Sequence, residues 1–204
     1  MDFNQSETKK NLMRAFAGES QARNRYTLAA GQAKQEGLEA VAAIFLYTAE
    51  QEKEHAEIFY RHLTQAAGQT IEIDGGYPVD IASTTAELLR MAQHNEYEEH
   101  DDVYQHFGDI ANQEGFRQIA ASFYLIADIE KTHGDRFGYF AELLEKGELY
   151  SSQETTFWLC LNCGHIHKGT EVPPQCPVCS HSQGYFVPLT LAPYEPVQKE
   201  KYQL

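Results

Sequence analysis

No cysteine lies outside the stretch from Cys160 to Cys179, basic side chains are scarce at 16 against 30 acidic ones, and apolar residues never run on without interruption. A membrane span needs roughly 18 such residues in a row, and the start, Met1-Asp2-Phe3-Asn4-Gln5, has no basic region followed by an apolar one. These absences argue against an anchor or leader and predict a cytoplasmic protein. The formal charge of −14 argues against a sequence-independent grip on nucleic acid or anionic lipid. Without scattered cysteines there is no disulfide framework, and a tight cluster of thiols in a reducing compartment marks a metal site.

What is present is a chain of 204 residues, 42% hydrophobic and 23% charged, enough for one good-sized core and a small satellite. From Thr8 to about Gln65 good helix formers and apolar positions at mixed three and four spacings predict two antiparallel helices broken near Gly37. Gly68 to Pro78, with Gly75-Gly76 and the β-branched Thr70-Ile71-Glu72-Ile73, has no helical logic and reads as a long crossover. Ser83-Thr84-Thr85 with Glu87 supplies capping-box chemistry for a second helical pair, broken near Gly115 and ended by Gly147.

The two halves repeat at an offset of 78 residues: Gln35-Glu36-Gly37 falls on Gln113-Glu114-Gly115, Tyr26 on Tyr104, Phe45 on Phe123, Glu52-Lys53 on Glu130-Lys131, His55 on His133 and Phe59 on Phe137. A shared loop signature with acids, histidines and aromatics in one register indicates a duplicated helical hairpin. Glu52-x-x-His55 and Glu130-x-x-His133 each put a carboxylate and an imidazole on one helix face. A lone motif of this kind is most often a solvated face. Two copies at equivalent places, each following core-lining residues, point inward, and the bundle recipe for two metals then requires a glutamate from each of the other helices. Glu19 fits on the first, and Glu96-x-x-Glu99 on the third, with Gln93 and Glu96 as the alternative pair. The strict offset would map Glu19 onto Tyr97, so the repeat slips before Tyr104, and a helical bulge is expected to absorb the extra residue. Such buried acids make sense chiefly around cations; their hard oxygens with two imidazoles suit iron or manganese, with zinc not excluded. Tyr26 and Tyr104 are candidate partners for the ligating carboxylates, with plain core packing as the competing role.

Cys160-Leu161-Asn162-Cys163-Gly164 and Cys176-Pro177-Val178-Cys179 form two C-x2-C knuckles, the pattern of a tetrahedral thiolate site. Zinc and single iron share this arrangement. A redox-type cluster in the same chain, and Trp158 with Tyr185-Phe186 available to pack around the thiolates, favour iron. Four thiolates complete the tetrahedron, which leaves His165 and His167 to the surface. Leu149 to Thr156 reads as a linker, and the domain limits follow as 1–148, 149–156 and 157–204.

With these motifs in hand the chain resembles the rubrerythrin family from Asn11 to Phe186, most specifically over Ala15-Phe16-Ala17-Gly18-Glu19-Ser20-Gln21-Ala22-Arg23-Asn24-Arg25-Tyr26, Glu50-Gln51-Glu52-Lys53-Glu54-His55 and the knuckles. The resemblance implies a mainly α, ferritin-like four-helix bundle with a small β-rich rubredoxin-like domain. It implies two irons held by Glu19, Glu52, His55, Glu96, Glu99, Glu130 and His133, and a third held by Cys160, Cys163, Cys176 and Cys179. It further implies that Glu52 and Glu130 bridge the irons and that Glu99 exchanges with His55 on reduction, which makes Glu52, Glu130, Glu99 and His55 the catalytic set. The implied activity is reduction of hydrogen peroxide to water in oxidative-stress defence, with electrons from a separate NADH-linked reductase or a rubredoxin passing through the cysteine site, in a homodimer or larger homo-oligomer. A ferritin-type ferroxidase, a metal store and a zinc-knuckle binding module are the competing readings; the first leaves the cysteine domain unexplained. The sequence departs from the family at His100-Asp101-Asp102-Val103, where more aromatic and apolar residues are usual.

Overall fold

The computed structural model describes residues 1–192, so the tail from 193 to 204 assigned to the second domain lies outside the described residues. Helix α1 spans Glu7–Gln35 and α2 Glu39–His62. Helix α3 (Thr85–Glu98) runs through a π-helical segment, Glu99–Val103, directly into α4 (Tyr104–Gln113), and α5 (Arg117–Lys146) completes the bundle. The Ser6 hydroxyl caps α1 by accepting from the Lys9 amide, and Thr84 with Glu87 forms the expected capping box on α3.

Both hairpin turns close alike. Gly37 and Gly115 take positive φ (72° and 92°), and the next amide reaches back to the helix, Leu38 to the Ala33 carbonyl and Phe116 to that of Ala111, both at 2.8 Å. Gly147 ends α5 in the left-handed conformation (φ 68°). The crossover between Ala67 and Ser83 forms no strand despite its β-branched stretch. Arg14–Asp74 (2.6 Å), a Tyr77 hydroxyl that donates to the Arg14 carbonyl (3.0 Å) and the Arg25–Asp80 pair tie it to α1.

The bundle interior has two apolar layers. Tyr26, Phe45 and Phe137 centre one, Tyr104, Phe59 and Phe123 the other, and ring centroids within each lie 4.9–6.2 Å apart. The repeat exchanges the layers, because Tyr26 corresponds to Tyr104, Phe45 to Phe123 and Phe137 to Phe59. Between them, on every long helix, one buried glutamate sits where the chain passes from one layer to the other: Glu19 between Ala15 and Ala22, Glu52 between Ala49 and Phe59, Glu96 between Ala92 and Tyr104, Glu130 between Ala127 and Phe137.

The small domain is an antiparallel sheet in the order β2-β1-β3, with β1 Ser151–Cys160, β2 Ile166–Glu171 and β3 Phe186–Pro188. Residues 151–156, expected as linker, are therefore strand, and Leu149 is buried in the bundle core. Their polar side chains fit a half-exposed strand, which sequence composition does not separate from a loop. Trp158 and Phe186 pack on the cysteines as expected, and the indole N–H donates to the Gly169 carbonyl at 3.1 Å.

This domain seats on its own bundle at the α1–α2 turn, where Val187 and Leu189 cluster with Ala40 and Gly184 lies against Gly37. No helix among the described residues is long and apolar enough to cross a membrane. A Cβ at Gly184 would come within 1.9 Å of the Gly37 carbonyl oxygen. Gly184→Ala should therefore loosen the seat by about 1–3 kcal/mol, the usual penalty of overpacking, and raise hydrogen exchange at β1 and β3 while the bundle stays protected.

Candidate metal centres

Glu19, Glu52, His55 and Glu130 bring one ligand atom each within 4.8 Å of one another, and Glu52, Glu96, Glu130 and His133 do the same. Glu52 and Glu130 belong to both groups, as bridging ligands would. His55 Nδ1 lies 2.9 Å from Glu130, 3.2 Å from Glu52 and 3.9 Å from Glu19. His133 Nδ1 lies 2.9 Å from Glu130, 3.0 Å from Glu52 and 3.6 Å from Glu96. The two rings are nearly parallel (17°), with centroids 5.6 Å apart. The arrangement has approximate two-fold symmetry, and it crosses between hairpins: Tyr104 donates to Glu19 (2.6 Å) and Tyr26 to Glu96.

The π segment makes this possible. Glu19 precedes Tyr26 by seven residues and Glu96 precedes Tyr104 by eight, so one residue must be absorbed before symmetric contacts can form. Glu99–Val103 absorbs it, the Tyr104 amide reaching back five residues to the Glu99 carbonyl. His100, one of the residues unusual for the family, donates from its ring to the Ala127 carbonyl (2.9 Å) and ties the segment to α5.

Glu99 stands apart from the other expected ligands. It opens the π segment and stands partly buried outside both four-residue groups, at the edge of a surface cleft. Gln93, the alternative ligand, faces Gly138 of α5 and accepts from Arg90 (2.8 Å), away from the acids. Sequence reasoning missed Gln51, whose side-chain oxygen lies 3.1 Å from His133 Nε2; this assigns the ring proton to Nε2 and leaves Nδ1 to the carboxylates. The repeat places Ile129 at the equivalent position, so duplication gave no signal. Also missed was Asp80, which binds Arg25 and accepts from Asn95 (2.8 Å), the residue before Glu96.

The acids sit uneasily without cations. Glu19 Oε2, Glu52 Oε1, Glu96 Oε2 and both Glu130 oxygens are buried with no well-aligned hydrogen bond, their close contacts to the two imidazoles aside, so carboxylate oxygens converge that protein donors do not fully satisfy. Burial, then the charge of neighbouring carboxylates, holds Glu19, Glu96 and Glu99 well above the usual carboxylate range. Burial would raise Glu52 as well, but His133 and His55 outweigh it and hold it at about 2. Burial opposes charge on both imidazoles, yet Glu130 and Glu52 raise His55 to about 9 and, with Glu96, His133 to about 12. This donor set fits two hard divalent cations.

The cysteine site is built from two like knuckles. The Cys160 amide donates to the His165 carbonyl and that of Gly164 to Cys160; the Cys176 amide donates to His181 and that of Ser180 to Cys176, all at 2.8–2.9 Å. Gly164 and Ser180 both take positive φ (77° and 60°). All four cysteines are free, with sulfur separations of 3.8 Å (Cys160 to Cys179) and 3.7 Å (Cys163 to Cys176). The edge of a tetrahedron with metal–sulfur bonds of about 2.3 Å is about 3.8 Å, so the thiols already stand at ligating distance. The His181 amide holds Cys179 down at about 6. His165 and His167 are not part of the cluster.

Fold and sites thus define a carboxylate and histidine bundle of ferritin type joined to a thiolate domain of rubredoxin type. The Rubrerythrin family profile matches residues 10–140, and that of the rubrerythrin rubredoxin-like domain matches 158–187. The chain is 43% identical over 182 residues to a rubrerythrin of Clostridium perfringens, covering 89% of this chain and 93% of the relative. It is 45% identical over 184 residues to one of Porphyromonas gingivalis, covering 90% of each. A solved structure of nigerythrin in a mixed-valence state superposes with a TM-score of 0.60 at 26% identity, covering 90% of both chains. The chain belongs to the rubrerythrin family: a di-iron protein with a further, rubredoxin-like iron site.

Two outcomes follow. Deleting Asp101 should remove the residue that the π segment absorbs and leave Glu96 seven residues before Tyr104 in α-helix, as Glu19 stands to Tyr26, so the bundle should still bind its iron with the thiolate-iron absorption unchanged; loss of bundle iron would refute the absorbed-residue reading. Metal removal should make stability depend on pH. The histidines are raised above their ordinary 6.5, so their contribution is complete below that value and is lost as pH climbs through about 9 for His55 and toward about 12 for His133. Glu52 acts oppositely, its contribution being lost only as pH falls from 4.5 toward about 2. Thermal denaturation of apoprotein should show stability declining above neutrality, and ferrous loading in weak buffer should release protons.

Proposed function

We propose that the protein reduces hydrogen peroxide to water at the bundle site. The observation that carries this reading is the shared pair Glu52 and Glu130, flanked symmetrically by His55 and His133, in a chain that also carries a thiolate iron site. Two ferrous ions, when bound, supply one electron each to O–O cleavage, and two protons complete two waters. Glu52 and Glu130 would bridge the ions, with Glu19 and His55 completing one site and Glu96 and His133 the other. Tyr26 and Tyr104 hold the outer glutamates by hydrogen bonds from the opposite hairpin, and Gln51 fixes the His133 tautomer. Glu99, which burial and its acidic neighbours hold above the usual carboxylate range, lines the open cleft and would serve as proton donor and as the carboxylate that exchanges with His55.

Electrons would enter at Cys160, Cys163, Cys176 and Cys179 from an NADH-linked reductase. Within one chain the cysteine domain sits at the Gly37 end of the bundle, and Glu19 lies 18 residues back along α1, about 27 Å at 1.5 Å per residue. That separation favours transfer to the bundle site of a second copy, hence a homodimer or larger assembly in the cytoplasm. Glu130→Ala should reduce NADH-linked peroxide turnover by at least about a hundredfold, as expected when a group of the metal's holding frame is lost, and leave the thiolate-iron absorption intact. Unchanged turnover would refute the assignment.

A further inference from the structure

An open cleft of about 560 Å3 lies beside the bundle site. Its lining includes Gly18, Tyr77 of the crossover, Glu99, Val103, Tyr104 and Phe107. Glu99 and Val103 bound the π segment, so the backbone irregularity that sets the ligand register also shapes this opening. Small-molecule pockets begin at about 300 Å3, and a two-oxygen peroxide would leave most of this space unused. The lining is largely apolar and aromatic, with Arg14, Asn95 and His106 as polar members beside the exposed acids Glu98 and Asp102.

We propose that the cleft admits uncharged organic hydroperoxides, with the O–O group at Glu99 and the tail between Tyr77 and Phe107. The inference rests on the peroxide-reducing reading and extends its substrate class. The O–O bond breaks, the two ferrous ions of the reduced site give up one electron each, and two protons are consumed. The terminal oxygen leaves as water and the other stays with its carbon as the alcohol. The space under Tyr77 is kept by the absence of a side chain at position 18, where a Cβ would lie 3.7 Å from the Tyr77 ring. Anything longer would project into the cleft. The Tyr77 ring is fixed by its hydrogen bond to the Arg14 carbonyl (3.0 Å).

The test joins binding to turnover. Calorimetry of the oxidised, iron-loaded protein with 2-phenyl-2-propanol, the product alcohol of cumene hydroperoxide, should show saturable binding. Gly18→Val, which fills the cleft, and Tyr77→Ala, which removes a lining ring on an exposed loop, should each weaken that binding and lower kcat/KM for cumene hydroperoxide by about tenfold, while kcat/KM for hydrogen peroxide stays within about twofold. Hydrogen peroxide turnover without alcohol binding or cumene hydroperoxide reduction would overturn the inference alone, as would cumene hydroperoxide turnover indifferent to both substitutions. Loss of wild-type turnover with both peroxides would overturn the peroxidase reading beneath it.

Discussion

Everything in the bundle answers to one constraint: Glu19, Glu52, Glu96 and Glu130 are held out of water in a single layer. Desolvating a carboxylate costs roughly several kcal/mol even after relaxation, and four together repel one another as well. Two imidazoles offset part of this, which is why they are driven toward the charged form. The oxygen atoms left unpartnered show that the offset is incomplete. Divalent cations remove the deficit at once, because they supply charge where those lone pairs converge. The apolar layers on either side confine the acids to that plane and keep water from solvating them individually.

Duplication explains how so demanding a layer is built. A hairpin that presents one glutamate from its first helix and E-x-x-H from its second needs only a two-fold axis to complete the set. The axis also pairs each tyrosine with the other hairpin's outer glutamate, so neither half can orient its own ligands alone. The symmetry is broken in two places, and both adjoin the cluster. The π segment adds one residue on the third long helix, and Gln51 supports His133 where the equivalent of its position beside His55 is Ile129. The two ends of the site are therefore chemically distinct: Gln51 backs His133, and the equivalent position beside His55 is the apolar Ile129.

Much of this was legible from residues alone, for definite reasons. The helices, glycine turns and cysteine knuckles are local patterns, and the repeat turned two weak E-x-x-H motifs into one strong constellation. The bulge, too, followed from arithmetic, since Glu19 to Tyr26 and Glu96 to Tyr104 differ by one. What was not legible depends on tertiary neighbours. Gln51 and Asp80 act across helices and have no repeat partner to advertise them. Glu99 shares its spacing with the other expected ligands, and its place outside the two four-residue groups depends on where the π segment begins. Residues 151–156 have loop-like composition and become strand by pairing with β2, and Ser180 takes a backbone conformation that its residue type does not announce.

Separating the two iron environments has its own logic. The bundle layer is hard, anionic and enclosed, suited to holding charge that changes by two electrons in one event. The cysteine site is soft and set on a half-exposed knuckle, with Cys163 at the surface, suited to passing single electrons to and from a partner. Merging them would let thiolates compete for the bundle cations and would expose the thiolates to the oxidant. Seating the cysteine domain at the α1–α2 turn, about 27 Å along α1 from Glu19, keeps the two environments apart. On the electron-relay reading proposed above, that separation is what would make a second copy the better acceptor, and the α1–α2 turn that seats the cysteine domain would set the distance although it touches none of the bundle's ligands.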